Sequence, residues 1–148
     1  MKIVIVGSVE LADKLIEMSE ELTKRGIETD IPHTVNRIKN GELTLEDFKK
    51  MKKERGGDFS FRQESKVDYL KRYHSLIAAS DGILVANFEK NGIKNYIGGN
   101  ALMELGFAYT LDKPIYLYND VPDMAYTDEI RSVNPIILNG DLSLIGKS

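Results

Sequence analysis

The sequence has no cysteine, only two histidines, and no apolar stretch close to the ~20 residues that a membrane-spanning helix needs. Without cysteine, the chain forms no disulfide, no thiolate metal site and no cysteine nucleophile. His33 and His74 are too few for a histidine-rich metal centre. The first residues also lack the basic region and the small-residue cleavage site of a signal peptide. We therefore expect a cytoplasmic protein with no metal, no organic cofactor and no membrane partner.

The charge balance shows no basic excess. Lysine and arginine number 20 against 23 aspartate and glutamate residues, which gives a formal net charge of −3. Proteins that bind polymeric nucleic acid or anionic membranes usually carry a basic excess, so neither is an expected partner. The length of 148 residues and the ordinary glycine and proline content predict one globular domain over residues 1–148.

The hydrophobic pattern predicts five strands separated by helices. In the run KIVIV, from Lys2 to Val6, the four residues after the lysine are all β-branched and apolar, which is typical of a strand buried on both faces of a parallel sheet. An apolar helix stripe from Leu11 to Leu22 follows it and stops at Gly26. Further strands are predicted at 27–31, 82–88, 114–118 and 135–138, with one helix at 62–79 and another that follows the turn Gly98-Gly99-Asn100 and ends near Asp112. This alternation predicts the α/β class: a Rossmann-like, three-layer α/β/α fold with a doubly wound five-stranded parallel sheet in the order 2-1-3-4-5.

That strand order places the ligand crevice at the carboxyl ends of strands 1 and 3. Gly7 and Ser8 follow strand 1 and either bind a phosphate or ribose or simply form the turn. Asn87 ends strand 3 at the same edge, so it is a candidate substrate-binding residue. Because the sequence has no G-x-G-x-x-G, a dinucleotide site is not favoured.

The strongest candidate for chemistry is Glu104. It follows the turn Gly98, Gly99 and Asn100, where the missing side chains let a ligand approach the backbone. It is the only charged residue between Lys94 and Asp112. A carboxylate in so apolar a segment is either a nucleophile or cation stabiliser, or a structural group that satisfies a helix end or a buried partner.

Three further residues are candidates with open alternatives. His33 is expected at the end of strand 2, either at the crevice mouth or in a structural role. His74 falls on the predicted apolar stripe of the third helix, with Val67, Leu70 and Ile77, and is either a core histidine or a substrate ligand. Tyr73 is expected to reach the strand ends.

The segment from about 33 to 61 is the least regular part of the sequence and is predicted to be a long excursion or lid. Its charged run, Lys49 to Arg55, is interpreted as a solvated helix face, with an anion-binding patch as the alternative. Phe59, Phe61 and Arg62 either form a lid that stacks on a base and pairs with an anion, or serve in packing.

Several of these elements together resemble the nucleoside 2-deoxyribosyltransferase superfamily, including its deoxynucleoside 5′-monophosphate N-glycosidase branch. They are Gly7-Ser8 after the first strand, the strand D-G-I-L-V-A-N, and the helix G-G-N-A-L-M-E-L-G-F-A followed by K-P-I. The resemblance covers the sheet framework and does not extend to the segment from about 34 to 65.

The resemblance implies an activity. A glutamate matching Glu104 would attack C1′ of a deoxyribose, the base would leave, and a second base or water would resolve the glycosyl-enzyme. His33 would match a site histidine of the N-glycosidase branch, and Gly7-Ser8 the turn that cradles the sugar or phosphate. The resemblance also implies a small-molecule nucleoside or nucleotide substrate and a homodimer in which the neighbouring subunit completes the pocket.

The chain departs from the family pattern at four places. The family's catalytic aspartate falls at Tyr73, and the tyrosine near the start of strand 1 in the N-glycosidase branch falls at Ile3. No arginine follows the Gly-Ser turn, and Gly98 stands where the relatives have aspartate or serine. We hypothesise that Arg62, His74 or Tyr73 substitutes for the missing groups, the aspartate among them.

Two other functions are compatible with the same motifs. One is a non-catalytic nucleotide-binding or sensing module, which the missing aspartate favours. The other is a lysine-decarboxylase-like nucleoside monophosphate phosphoribohydrolase, although this chain has Y-I-G-G-N-A-L-M-E in place of that group's P-G-G-x-G-T-x-x-E.

Overall fold

The computed structural model describes residues 1–54 and 68–147 and contains a parallel sheet of five strands in the order β2-β1-β3-β4-β5. The strands are β1 (Lys2–Val6), β2 (Glu28–Asp30), β3 (Gly82–Val85), β4 (Ile115–Leu117) and β5 (Ile136–Ile137). The helices are α1 (Ala12–Lys24), α2 (His33–Lys39), α3 (Leu45–Glu54), α4 (Tyr69–Ala78), α5 (Gly99–Thr110) and α6 (Thr127–Ser132), with 3₁₀ turns at Val9–Leu11 and Leu142–Leu144. The predicted three-layer α/β/α fold and its strand order are confirmed.

The two central strands bury side chains on both faces of the sheet. In β1, Ile3 and Ile5 pack with α1, whereas Val4 and Val6 pack with α4 and α5 on the opposite face. Successive side chains of a strand point to opposite faces, so a strand covered on both sides has to be apolar throughout. This explains why KIVIV shows no polar alternation.

The first helix ends where the sequence predicts. Gly26 has φ +81, its N–H bonds Thr23 O at 3.0 Å, and the N–H of Ile27 bonds Leu22 O at 3.0 Å. This is a Schellman motif, in which a left-handed glycine lets the chain turn back and satisfy the last carbonyls of the helix. The turn delivers the chain directly into β2.

The structure places two helices in residues 33–54, the part of the predicted excursion that it describes, and it corrects the position of His33. His33 does not end β2 but begins α2, because Pro32 occupies the N-cap with φ −52 and has no N–H for the sheet. A second helix, α3, covers Leu45–Glu54, and its lysines at 49, 50 and 53 are exposed, as the solvated-face interpretation predicts. Phe59, Phe61 and Arg62 lie outside the described residues.

The buried stripe of α4 also differs from the prediction. Its buried residues are Tyr73 and Ile77, whereas Leu70 is 38% exposed and His74 lies at the surface. Ile77 belongs to both stripes, but Tyr73 takes the buried place predicted for His74, its neighbour about 100° away around the helix axis. The His74 ring instead packs edge-on against Phe107, with centroids 5.4 Å apart. Val67 lies outside the described residues.

Asp81 links two strands of the sheet through a hydrogen bond to the backbone. The Asp81 carboxylate accepts a hydrogen bond from the N–H of Lys2 at 2.8 Å, so this residue ties the start of β1 to the turn before β3, in line with the structural role expected of a turn aspartate. Within the described ranges, 1–54 and 68–147, none of the helices has the length and apolar character needed to cross a bilayer.

Two glycine substitutions are expected to change stability in opposite directions. Gly26→Ala should lower the free energy of unfolding by about 1–2 kcal/mol, because alanine is strained at φ +81. Gly106→Ala should raise it by up to about 1 kcal/mol, because this glycine lies inside α5 and a Cβ there meets no atom within 4 Å. Urea denaturation of both variants measures the difference. A stabilised Gly26→Ala protein would contradict the assigned helix end.

Candidate functional site

A cavity of about 390 Å³ opens at the carboxyl ends of β1 and β3, the edge at which the strand order predicts a ligand. Of the predicted site residues, eight line it: Gly7, Ser8, His33, Tyr73, Gly98, Gly99, Asn100 and Glu104. They come from the turn after β1, the starts of α2 and α5, and the side of α4. The volume is within the usual range for a site that takes a small molecule.

Glu104 and Tyr73 form one part of the cavity wall. Glu104 lies on the second turn of α5 and is half-buried, and the facing helix α4 contributes Tyr73, which is 5% exposed. The Tyr73 hydroxyl donates a long hydrogen bond of 3.5 Å to the carbonyl of Ile5. Burial raises the pKa of Tyr73 well above its usual value, and the negative charge of Glu104 adds to the effect. The phenol therefore stays neutral and can donate a hydrogen bond near the carboxylate.

The start of α5 is shaped by its glycines. Gly98 is the N-cap residue, and a Cβ there would lie 3.3 Å from the ring of Tyr96, so the glycine leaves room for that ring. Nothing lies within 4 Å of a Cβ at Gly99, which is open toward the cavity. The hydroxyl of Tyr126 donates to the carbonyl of Ile97 and fixes the segment that leads into the helix.

Gly7 is required for packing at the sheet edge. A Cβ at this position would lie 3.2 Å from Ala86 Cβ and 3.2 Å from Leu15 Cδ1. The missing side chain lets the ends of β1 and β3 approach each other and the first helix. Ser8 follows it, and its hydroxyl caps the 3₁₀ turn by accepting from the N–H of Glu10 at 3.3 Å.

A charged cluster lies next to Ser8 and consists of Glu10, Lys52 and Lys90. Lys52 Nζ lies 3.3 Å from Glu10 Oε1, and Lys90 Nζ lies 3.4 Å from Glu10 Oε2. Lys90 also donates to the Ser8 hydroxyl at 3.0 Å. Burial acts to raise the pKa of Glu10, but the ammonium groups of Lys90 and Lys52 together outweigh it and lower that pKa. The carboxylate is thus held in its charged form.

Sequence reasoning missed this cluster as a unit. The alternative interpretation of the lysine-rich run as an anion-binding patch includes Lys52, the one lysine of that run that lines the cavity. Nothing in the local pattern singles out Glu10 or Lys90, which lie 80 positions apart in the sequence and in segments predicted as turn and loop.

Aromatic side chains form another part of the wall. His33 and Tyr69 lie with ring centroids 6.4 Å apart, and Phe48 of α3 lines the same cavity. Burial lowers the pKa of His33, and the positive charges of Arg72 and Arg37 lower it further against the weaker opposing effect of Glu42. At neutral pH the imidazole is therefore uncharged and offers one donor and one acceptor.

Asn87, predicted to bind substrate, is a structural residue. It is fully buried, its Nδ2 donates to the carbonyls of Asn119 and Asp120 at 3.0 Å each, and its Oδ1 accepts from the N–H of Asn119 at 2.8 Å. These bonds clamp the end of β3 to the loop after β4, so the side chain does not line the cavity. Buried side-chain amides are nearly always hydrogen-bonded, and the partners of Asn87 are backbone groups of Asn119 and Asp120.

The two other predicted residues do not join the described site. His74 lies on the exposed side of α4, away from the cavity, and Arg62 lies outside the described residues. In the part of the chain that the structure describes, no group of three or more histidine, aspartate or glutamate side chains could hold a metal ion.

Asn87→Ala is expected to lower the free energy of unfolding by about 2–3 kcal/mol, because it leaves buried backbone groups of the loop after β4 unsatisfied. Asn36→Ala, at an exposed position of α2, is the matched control and should change stability by less than about 0.5 kcal/mol. Urea denaturation measures both. An Asn87→Ala protein as stable as the parent would contradict the clamp.

Comparisons with protein-family models, with curated proteins and with solved structures found no match to this chain. Its function therefore has to be inferred from the side chains that line the cavity.

Proposed function

We propose that the protein cleaves or exchanges the N-glycosidic bond of a (deoxy)nucleoside or nucleoside 5′-monophosphate, with Glu104 as the nucleophile. One observation carries this proposal: a carboxylate lies beside a buried, neutral phenol in a cavity of about 390 Å³ at the sheet's switch point. The resemblance of the G-G-N-A-L-M-E-L-G-F-A helix to the nucleoside 2-deoxyribosyltransferase superfamily supports the same residue.

The reaction follows the logic of a retaining glycosidase. One oxygen of the Glu104 carboxylate bonds to C1′ while the C1′–N bond breaks, and the base leaves with the bonding electron pair and takes up a proton from water. The carboxylate stabilises the positive charge that develops on the sugar. Water or a second base then attacks C1′ and releases Glu104, giving hydrolysis or base exchange respectively.

Tyr73 is the proposed positioning residue. Among the three candidates to replace the family's aspartate, it is the one that the described structure places in the cavity wall. Its raised pKa makes it a poor proton donor to a departing base but a stable hydrogen-bond donor to an anion. Since its bond to Ile5 is long, the hydroxyl can turn to Glu104 when a substrate fills the cavity.

The aromatic wall suits the base of such a substrate. Phe48 and Tyr69 offer faces for stacking, and neutral His33 can hydrogen-bond to the edge of a base. We retain a homodimeric assembly from the family resemblance, and a cytoplasmic location from the sequence composition, as parts of the proposal. Hydrophobic side chains exposed on α4 and α5, among them Met103 and Tyr109, fit a surface that another subunit covers.

A second candidate is a non-catalytic nucleotide-binding or sensing module. It is favoured by one specific observation: the place of the family's catalytic aspartate is taken by Tyr73, whose pKa is raised and which supplies no charge. Such a module would use the same cavity and the same aromatic wall.

Glu104→Gln is expected to slow base release by at least about a thousandfold, because the amide cannot act as the nucleophile. Deoxynucleosides, ribonucleosides and their 5′-monophosphates are incubated with each protein, and the released base is measured by chromatography. Glu20→Gln, at an exposed position of α1, is the matched control and should keep full activity.

The same assay separates the candidate functions. Base release by the parent protein and its loss in Glu104→Gln support the glycosidic reaction. Thermal stabilisation by a nucleotide without any base release supports the binding module, since a ligand selective for the native state raises its melting temperature. Base release that survives in Glu104→Gln would overturn the assigned nucleophile.

Tyr73→Phe is expected to lower kcat by at least about tenfold with little change in KM, because a donor that stabilises the carboxylate is lost while the ring still packs. The acidic limb of the kcat profile, which reports groups in the enzyme–substrate complex, should also move to higher pH, an effect that a purely structural role would not produce. Tyr118→Phe, at a half-buried tyrosine that does not line the cavity, is the control. An unchanged acidic limb would contradict the positioning role.

A further inference from the structure

The cluster of Ser8, Glu10, Lys52 and Lys90 brings two cations to one carboxylate at the cavity wall. Lys52 comes from α3 and Lys90 from the loop after β3, and both lie within 3.4 Å of the Glu10 carboxylate. Glu10 is 29% exposed at its side chain, whereas Lys90 is only 16% exposed. The cluster therefore holds one net positive charge in a partly desolvated place.

Lys90 is held rigidly at this position. It begins a tight turn in which Lys90 N bonds Ile93 O at 3.1 Å and Ile93 N bonds Lys90 O at 3.0 Å. The central residues Asn91 and Gly92 both have positive φ, as a type I′ turn requires. The Glu89 carboxylate accepts from the N–H of Gly92 at 2.7 Å and braces the turn further. An ammonium on so short and braced a loop is pre-organised for a ligand.

We propose that this cluster is a subsite for a phosphate monoester, and that Glu10 occupies the place of the phosphate until a ligand displaces it. Two ammonium groups and the Ser8 hydroxyl offer hydrogen-bond donors from several directions, which suits a tetrahedral dianion. With the dianion in place of the single carboxylate, the two lysine charges are fully balanced. Its identification as the 5′-phosphate of the substrate rests on the proposed function.

The exchange would select phosphorylated ligands. A neutral nucleoside has no charge with which to displace Glu10 from Lys52 and Lys90, so it leaves both ion pairs intact. A 5′-monophosphate, with about −1.5 to −2 charge at neutral pH, competes directly for the same two cations. Glu10 can leave because part of its side chain already faces solvent.

One of the same contacts joins α3 to the rest of the cavity wall. None of the side chains of this helix is buried, and Lys52 ties it to the 3₁₀ turn after β1 through Glu10. When a phosphate displaces Glu10, Lys52 forms an ion pair with the phosphate instead, and α3 remains at the cavity. Phosphate recognition and the position of α3 are thus coupled through one lysine.

The test measures binding of inorganic phosphate and of deoxyribose 5-phosphate by calorimetry at low ionic strength. Neither probe contains an N-glycosidic bond, so binding is measured independently of base release. Glu10→Gln should bind both about tenfold more tightly, and Lys90→Gln about tenfold more weakly. Glu20→Gln and Lys53→Gln, at exposed positions, remove the same charges elsewhere and should stay within about twofold of the parent.

Circular dichroism and the melting temperature establish whether each variant is folded. If Lys90→Gln does not fold, Lys52→Gln replaces it in the test, because it is expected to weaken phosphate binding to a similar extent. Phosphate that does not bind to the parent, or that binds Glu10→Gln no better than Glu20→Gln, would overturn the subsite. Base release by a protein that binds no phosphate would overturn the phosphate subsite but support the proposed function. Phosphate binding without base release would support the subsite but contradict the proposed function.

Discussion

Strands β1 and β3 bury both of their faces, and the position of the cavity follows from covering them. Helix α1 covers the face of Ile3 and Ile5, whereas α4 and α5 cover the face of Val4 and Val6. The connections after the two central strands therefore leave the sheet toward opposite sides, and a space opens between them at the carboxyl edge. Gly7 lets the two strand ends stay in close contact below that space.

The side chains around this space are divided by their charge. Glu104 lies with the neutral phenol of Tyr73, while Lys52 and Lys90 gather on Glu10 beside Ser8. The cavity wall thus carries a carboxylate in one part and a net positive cluster in another, and the proposed substrate, with its electrophilic C1′ and its phosphate, would use both. Phe48 and Tyr69 line the same cavity, and their ring faces suit stacking on a flat ring.

Some residues that the sequence predicts at the cavity line it and others do not, and the difference has a physical cause. Glu104 was found because a lone charge in an apolar helix is visible in the sequence, and the helix then carries it to the cavity. His74 was misplaced because neighbouring residues of a short helix compete for one buried stripe, and Tyr73 fits the sheet better. Asn87 was misread because a buried amide after a strand has the same pattern whether it bonds a ligand or the backbone of Asn119.

The sequence by itself determined that strands alternate with helices, because hydrophobic runs and helix stops act over a few neighbouring residues. Since crossovers between parallel strands are right-handed, that alternation favours the order 2-1-3-4-5 and so the edge at which the cavity opens. Only the tertiary structure decided which charges meet there. The contacts of Lys52 with Glu10 and of Lys90 with Ser8 span 42 and 82 positions in the chain. Such contacts depend on how loops and helices pack in three dimensions, and local periodicity carries no information about that.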